Sequence, residues 1–140
     1  MDSVIDLAVD TSALMAILLG EQDAADLLEV MLSYKRIGIS AANRTELLIV
    51  VGSRLGEAGV DCAKTLMDAQ QIRTIALDET LADTAADAFR RFGKGRHPAG
   101  LNFGDCFSYA LAVQQAVPLL FKGQDFSQTD VRAPREPPLA

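Results

Sequence analysis

The run Val4-Ile5-Asp6-Leu7-Ala8-Val9-Asp10-Thr11-Ser12-Ala13 sets the architecture. Val4 to Val9 is short, mostly apolar and carries β-branched residues, so it reads as a strand that the polar triplet Asp10-Thr11-Ser12 brings to an end. Ala13 to Leu19 then reads as a helix, giving strand, polar turn, helix as the opening phrase.

The same phrase recurs along the chain. Asp23 to Tyr34 predicts a helix with Ala24, Leu27, Leu28, Met31 and Leu32 on one face, and Arg36 to Ile39 a brief strand. Ser40 caps a strongly apolar helix running to about Leu55, Gly56 and Gly59 are expected to break it, and Cys62 to Gln70 resumes helix. Arg73 to Leu77 alternates around Ile75 and Leu77 as a third strand, and Asp78 caps a helix from Thr80 to Phe92. A Gly-rich loop, 93–100, leads to a helix from about Phe103 to Gln115, a fourth strand from Val117 to Phe121 and a Gly123-Gln124-Asp125 turn. Strands alternating with helices imply a three-layer α/β/α sandwich with a central, mainly parallel sheet. Such sheets bind ligands beyond the carboxyl ends of their strands, where strand order reverses.

The 140 residues fit one domain, taken as 1–132, and the Pro-rich stretch 133–140 reads as a poorly ordered tail. With 19 acids against 13 Lys and Arg, the net charge of −6 repels phosphate and excludes an indiscriminate nucleic-acid binder. Aromatic residues make up only 6% and Trp is absent, so stacking on many exposed bases is not its main binding mode. Cys62 and Cys106 have no C-x-x-C spacing and read as reduced, small core residues, which fits a cytoplasmic setting. The first residues lack a basic n-region and the longest apolar run, Ala13 to Leu19, is too short to span a bilayer, so neither a signal peptide nor a membrane segment is expected.

Four acids fall where strands hand over to helices or loops, or near a helix start: Asp10 after the first strand, Glu46 one turn into the third helix, Asp105 in the first turn before the fourth strand, and Asp125 after that strand. Each has an ordinary explanation. Asp10 or Ser12 can cap a helix, Asn102 and Asp105 have the spacing of an imperfect capping box, Asp125 can make an Asx turn, and Glu46 can pair with Arg44. Together on one rim they would repel one another, and a divalent cation removes that cost. Oxygen ligands without clustered His or Cys select Mg²⁺ or Mn²⁺, a donor set suited to phosphodiester hydrolysis.

Val9-Asp10-Thr11-Ser12-Ala13, Arg44-Thr45-Glu46-Leu47, the stretch from Leu101-Asn102-Phe103-Gly104-Asp105 to Ala112, and Leu120-Phe121-Lys122-Gly123-Gln124-Asp125-Phe126 resemble the ordered motifs of PIN-domain ribonucleases, specifically the VapC-type toxins of bacterial toxin–antitoxin pairs. The resemblance implies a PIN-like fold and a Mg²⁺- or Mn²⁺-dependent endoribonuclease, with Asp10 and Asp105 as direct metal ligands. Glu46 would be a ligand or a water-orienting base, Asp125 an outer or second-metal ligand open to competition from Asp130, and Ser12 would orient Asp10 or a metal-bound water. It also implies a homodimer and a cognate antitoxin whose Arg or Lys can occupy the metal site.

Arg90, Arg91, Lys94, Arg96 and His97 form the one dense cationic cluster and can hold RNA phosphate beside the acids, or serve only as a solvated loop. Two other functions fit less well. An aspartyl-phosphate phosphatase expects an Asp two residues after Asp10, where Ser12 stands, and a catalytically silent partner-binding module does not require all four acids.

Overall fold

The computed structural model describes residues 4–134, so the predicted tail lies outside the described residues except for Ala133 and Pro134. Four parallel strands, β1 (Leu7–Val9), β2 (Ile37–Ser40), β3 (Arg73–Ile75) and β4 (Leu119–Leu120), form one sheet in the order β3-β2-β1-β4. The helices are α1 (Thr11–Leu18), α2 (Ala24–Leu32), α3 (Ala41–Ala69), α4 (Glu79–Phe92) and α5 (Phe103–Gln115), with a 3-10 turn at Phe126–Gln128.

Alternation along the central strand sorts the helices into layers. Leu7 and Val9 pack with α1, α2 and α3 on one face, whereas Ala8 packs with α4 and α5 on the other. Leu119 and Leu120 divide in the same way, giving the expected three layers. Because β2 and β3 lie on one side of β1 and β4 on the other, strand order reverses between β1 and β4. Sheets of this kind have their binding crevice at such a reversal, and Asp10 follows β1 there.

Several elements differ from their predicted spans. The first and third strands are shorter because a ladder extends only as far as its partner: Leu7 pairs with Ile37 and Ser40 with Ile75, so Val4 and Leu77 fall outside and are 40% and 42% exposed. Pro118 precedes β4 with no N–H to donate, although its carbonyl accepts from the Ala8 amide at 3.0 Å. In α3 only Gly56 departs from helical geometry, with φ 71° and ψ −164°, a conformation glycine tolerates best. Gly59 stays in the helix, buried against Val51 and Leu55. Cys106 is a core residue as expected, but Cys62 is exposed, because the kink does not turn its face of α3 toward the sheet.

Candidate active site

Asp10 leaves the end of β1 and caps α1, its Oδ2 accepting from the Ser12 amide at 2.9 Å. Its other oxygen accepts from the Ser108 hydroxyl at 2.5 Å, so the carboxyl is held at both ends while only 2% of the residue is exposed. Burial pushes its pKa up against the bonds from Ser108 and Ser12, and the charge of Glu46 adds to the rise.

Glu46 is half-buried, and its Oε1 accepts from the Thr11 hydroxyl at 2.6 Å and the Asn43 side-chain amide at 3.3 Å. Arg44 turns away toward Met67 and Thr74, so the expected local pairing with Glu46 is not made. Across the crevice the carboxylate lies over Gly104: a Cβ there would stand 2.6 Å from Cδ and 2.7 Å from Oε1 of Glu46, and closer still to Oε2. The absence of a side chain at position 104 is what lets α3 and α5 meet at this point.

Asp105 closes a full reciprocal capping box on α5. Its Oδ2 accepts from the Asn102 amide at 3.0 Å, and the Asn102 side chain accepts from the Asp105 amide at 2.9 Å. Burial raises its pKa to about 7 despite that bond, and the charges of Asp10, Asp125 and Glu46 all push the same way. The ordinary and the chemical explanations therefore hold for the same side chain. Asp125 is exposed and makes no side-chain capping bond at the 3-10 turn it precedes. Asp130 is engaged elsewhere, accepting from the Tyr109 hydroxyl and facing Arg91 at 3.6 Å, and it is not among the charges acting on Asp105.

The sequence matches the PIN domain over residues 7–132. It is 48% identical over 128 residues, 91% of this chain and 98% of the relative, to a protein named ribonuclease VapC from Mycolicibacterium smegmatis. The chain belongs to the VapC ribonuclease family of PIN-domain proteins. The fold is shared with Mycobacterium tuberculosis VapC20, described as a sarcin-ricin loop cleaving toxin (TM-score 0.75, 17% identity, 90% of this chain and 96% of that one). It is shared too with a toxin–antitoxin complex from Klebsiella pneumoniae (TM-score 0.66, 17% identity, 89% and 93%).

Around this PIN-domain crevice stand polar residues that motif reading passed over. Asn43, fully buried, donates to Glu46 and to the Gly104 carbonyl at 2.9 Å, while its own carbonyl accepts from Thr11 at 3.3 Å. Ser40 donates to the Asn43 side-chain oxygen at 2.6 Å, completing a bridge from β2 through α3 to α5. The available signal was spacing: Asn43 precedes Glu46 by three residues, and Ser108 follows Asp105 by three within an otherwise apolar helix. Ser12 has a further task, its hydroxyl oxygen accepting from the Lys122 amide at 3.0 Å and tying the start of α1 to the loop after β4.

The cationic loop is largely occupied with itself. Arg90 pairs with Asp87 at 2.5 Å, Arg91 lies 4.7 Å from the centre of the Phe92 ring, and Arg96 lies 5.8 Å from that of Phe89. His97 meets Phe92 edge-on at 5.0 Å and accepts from the Ala99 amide at 3.0 Å; Lys94 is exposed. Among the described residues, none of these five side chains bonds to the four acids. A cavity of about 700 Å³ lies at the opposite end of the sheet between Asp6, Arg36, Pro118 and Arg132, where the strands begin.

The donor set at the crevice is all oxygen and carries more negative charge than its burial favours, which fits a hard divalent cation. No three His, Cys, Asp or Glu side chains among the described residues converge tightly enough to enclose an ion unaided.

The raised pKa values make stability depend on pH in a defined direction. Asp105 rises from an ordinary 3.8 to about 7, so the folded chain binds more protons than the unfolded one between those values. Stability contributed by this group is full below the lower value and is lost as pH rises through the upper one. Metal-free protein in EDTA is expected to melt at higher temperature at pH 5 than at pH 8. The Asp105 contribution is on the order of 1–2 kcal/mol after discounting for solvent screening of a partly exposed carboxyl. Thermal melts of wild type and Asp105→Asn across this window test it: parallel slopes would exclude the assignment.

Proposed function

We propose that this ribonuclease hydrolyses RNA phosphodiester bonds with Mg²⁺ or Mn²⁺ held by Asp10 and Asp105, with Glu46 and Asp125 completing the site. The observation that carries the proposal is the placement of Asp105, which starts α5 near Asp10, Glu46 and Asp125, close enough that all three charges act on it. When bound, the cation would lower the pKa of an attacking water and neutralise charge on the scissile phosphate. Within the chain, Ser12 and Ser108 hold both oxygens of Asp10, and Asn102 fixes Asp105. Thr11 and Asn43 both donate to one oxygen of Glu46, leaving the other to orient or accept a proton from water. Hydrolysis joins the water oxygen to phosphorus and breaks one P–O ester bond, and the departing oxygen takes up a proton.

The acidic field around the crevice attracts a cationic side chain as well as a metal. We therefore assign a cognate antitoxin that places an Arg or Lys there at rest, a partnership supported by the toxin–antitoxin complexes among the structural relatives. The working form is proposed to be a cytoplasmic homodimer. Among the described residues no helix is long and apolar enough to cross a membrane.

Purified protein incubated with RNA and Mn²⁺ or Mg²⁺ is expected to yield discrete fragments, with cleavage abolished by EDTA and restored by excess metal. Cleavage that persists at full rate in EDTA would contradict the proposed role of the acids.

A further inference from the structure

The first residue of α5, Phe103, is 78% exposed although it lies one residue from Gly104 and two from Asp105. Its ring meets Phe107 edge-on at 4.9 Å and 78°, a contact that leaves most of the side chain in water. A cavity of about 280 Å³ beside it is lined by Ala42, Ile49, Val50 and Phe107 and closes on Glu46 and Gly104. The apolar slot thus ends at the carboxylates. Its volume lies just below the range of ligand pockets, roughly 300–1,000 Å³, which limits it to one compact group.

We infer that Phe103 is a stacking platform for one unpaired base of the RNA, the nucleotide next to the scissile phosphate, received in the slot between Phe103 and Glu46. The inference rests on the RNA-cleaving role proposed above. Charge favours a base here. The chain carries a net charge of −6, and Arg90, Arg91 and Arg96 already face their own partners. Affinity for a polyanion must then come in large part from contacts that carry no charge, and stacking of a base on an aromatic ring is such a contact. Continuity favours it too, since a group in this slot is adjacent to the carboxylates that act on the phosphate. A single platform also agrees with an aromatic content of 6%, too low for a multi-base groove.

The test uses the intact protein, a single-stranded RNA with one mapped cut, and two versions of that RNA carrying an abasic ribonucleotide immediately 5′ or 3′ of the cut. One abasic position is expected to lower wild-type kcat/KM by roughly 5- to 150-fold, the range for losing one base–aromatic stack. Phe103→Ala should lose a similar factor on intact RNA, mainly through KM, and should be indifferent to that abasic site. Phe103→Tyr should restore binding, whereas Phe103→Leu, which keeps apolar area without a ring face, should not. The inference is overturned if Phe103→Ala cuts intact RNA like wild type, including the case in which it only escapes inhibition by a protein partner. Equal abasic penalties in wild type and Phe103→Ala overturn it as well. A wild-type protein that cuts no RNA with Mn²⁺ would instead overturn the proposed function, so the two failures are distinguishable.

Discussion

Asp10→Asn is expected to lower RNA cleavage by about a thousandfold or more under single-turnover conditions with Mn²⁺, because several kcal/mol of charge stabilisation leaves with the ion it helps to hold. The same variant should not melt earlier than wild type when metal is absent. Asp10 is 2% exposed and its burial works against ionisation, so a neutral isostere removes that penalty while keeping an oxygen for Ser12 or Ser108. Metal-induced stabilisation should shrink or vanish in the variant. The combination separates a chemical role from a structural one: near-normal cleavage would remove Asp10 from the site, and a collapse in melting temperature would make it chiefly a helix cap.

Gly104→Ala is expected to cost roughly tenfold to a hundredfold in kcat with the fold retained, the scale of a misplacement near 1 Å at a reacting centre. The added methyl would meet the carboxyl end of Glu46 rather than backbone, so the flexible partner yields and loses its seat beneath Thr11 and Asn43. Pairing the change with Glu46→Asp, whose shorter side chain clears the methyl, should recover part of the loss. Circular dichroism melts beside the cleavage rates check that the effect is local. Wild-type rates from Gly104→Ala would show that the position of Glu46 is not critical.

Much of this was legible in the residues because the relevant signals are local. Val4 to Val9 followed by Asp10-Thr11-Ser12 announces a strand running into a helix, and Ser40 and Asp78 cap the helices that follow them, as their side chains predict. The rim location of Asp10 and Asp105 follows from parallel topology alone, since one ends a strand and the other begins the helix before the next. What sequence could not supply was pairwise geometry. Whether Asp125 or Asp130 faces the crevice depends on how the chain after β4 lies against Tyr109 and Arg91, residues distant in sequence. The helix carrying Glu46 reads as strongly apolar, yet Glu46 is half-buried and Ile49 is 61% exposed, because α3 presents only one side to the sheet. Asn43 was silent for the opposite reason: a polar residue near a helix start looks like a surface residue until its partners on α1 and α5 are known.

The placement of β1 between β2 and β4 also has a consequence for the chain as it is made. Asp10 and Glu46 emerge from the ribosome before Asp105, and Asp125 follows the strand that walls the crevice. A nascent chain halted before β4 has β1 as an open edge and lacks Asp125. The crevice is therefore walled on both sides only after β4 has emerged and paired with β1.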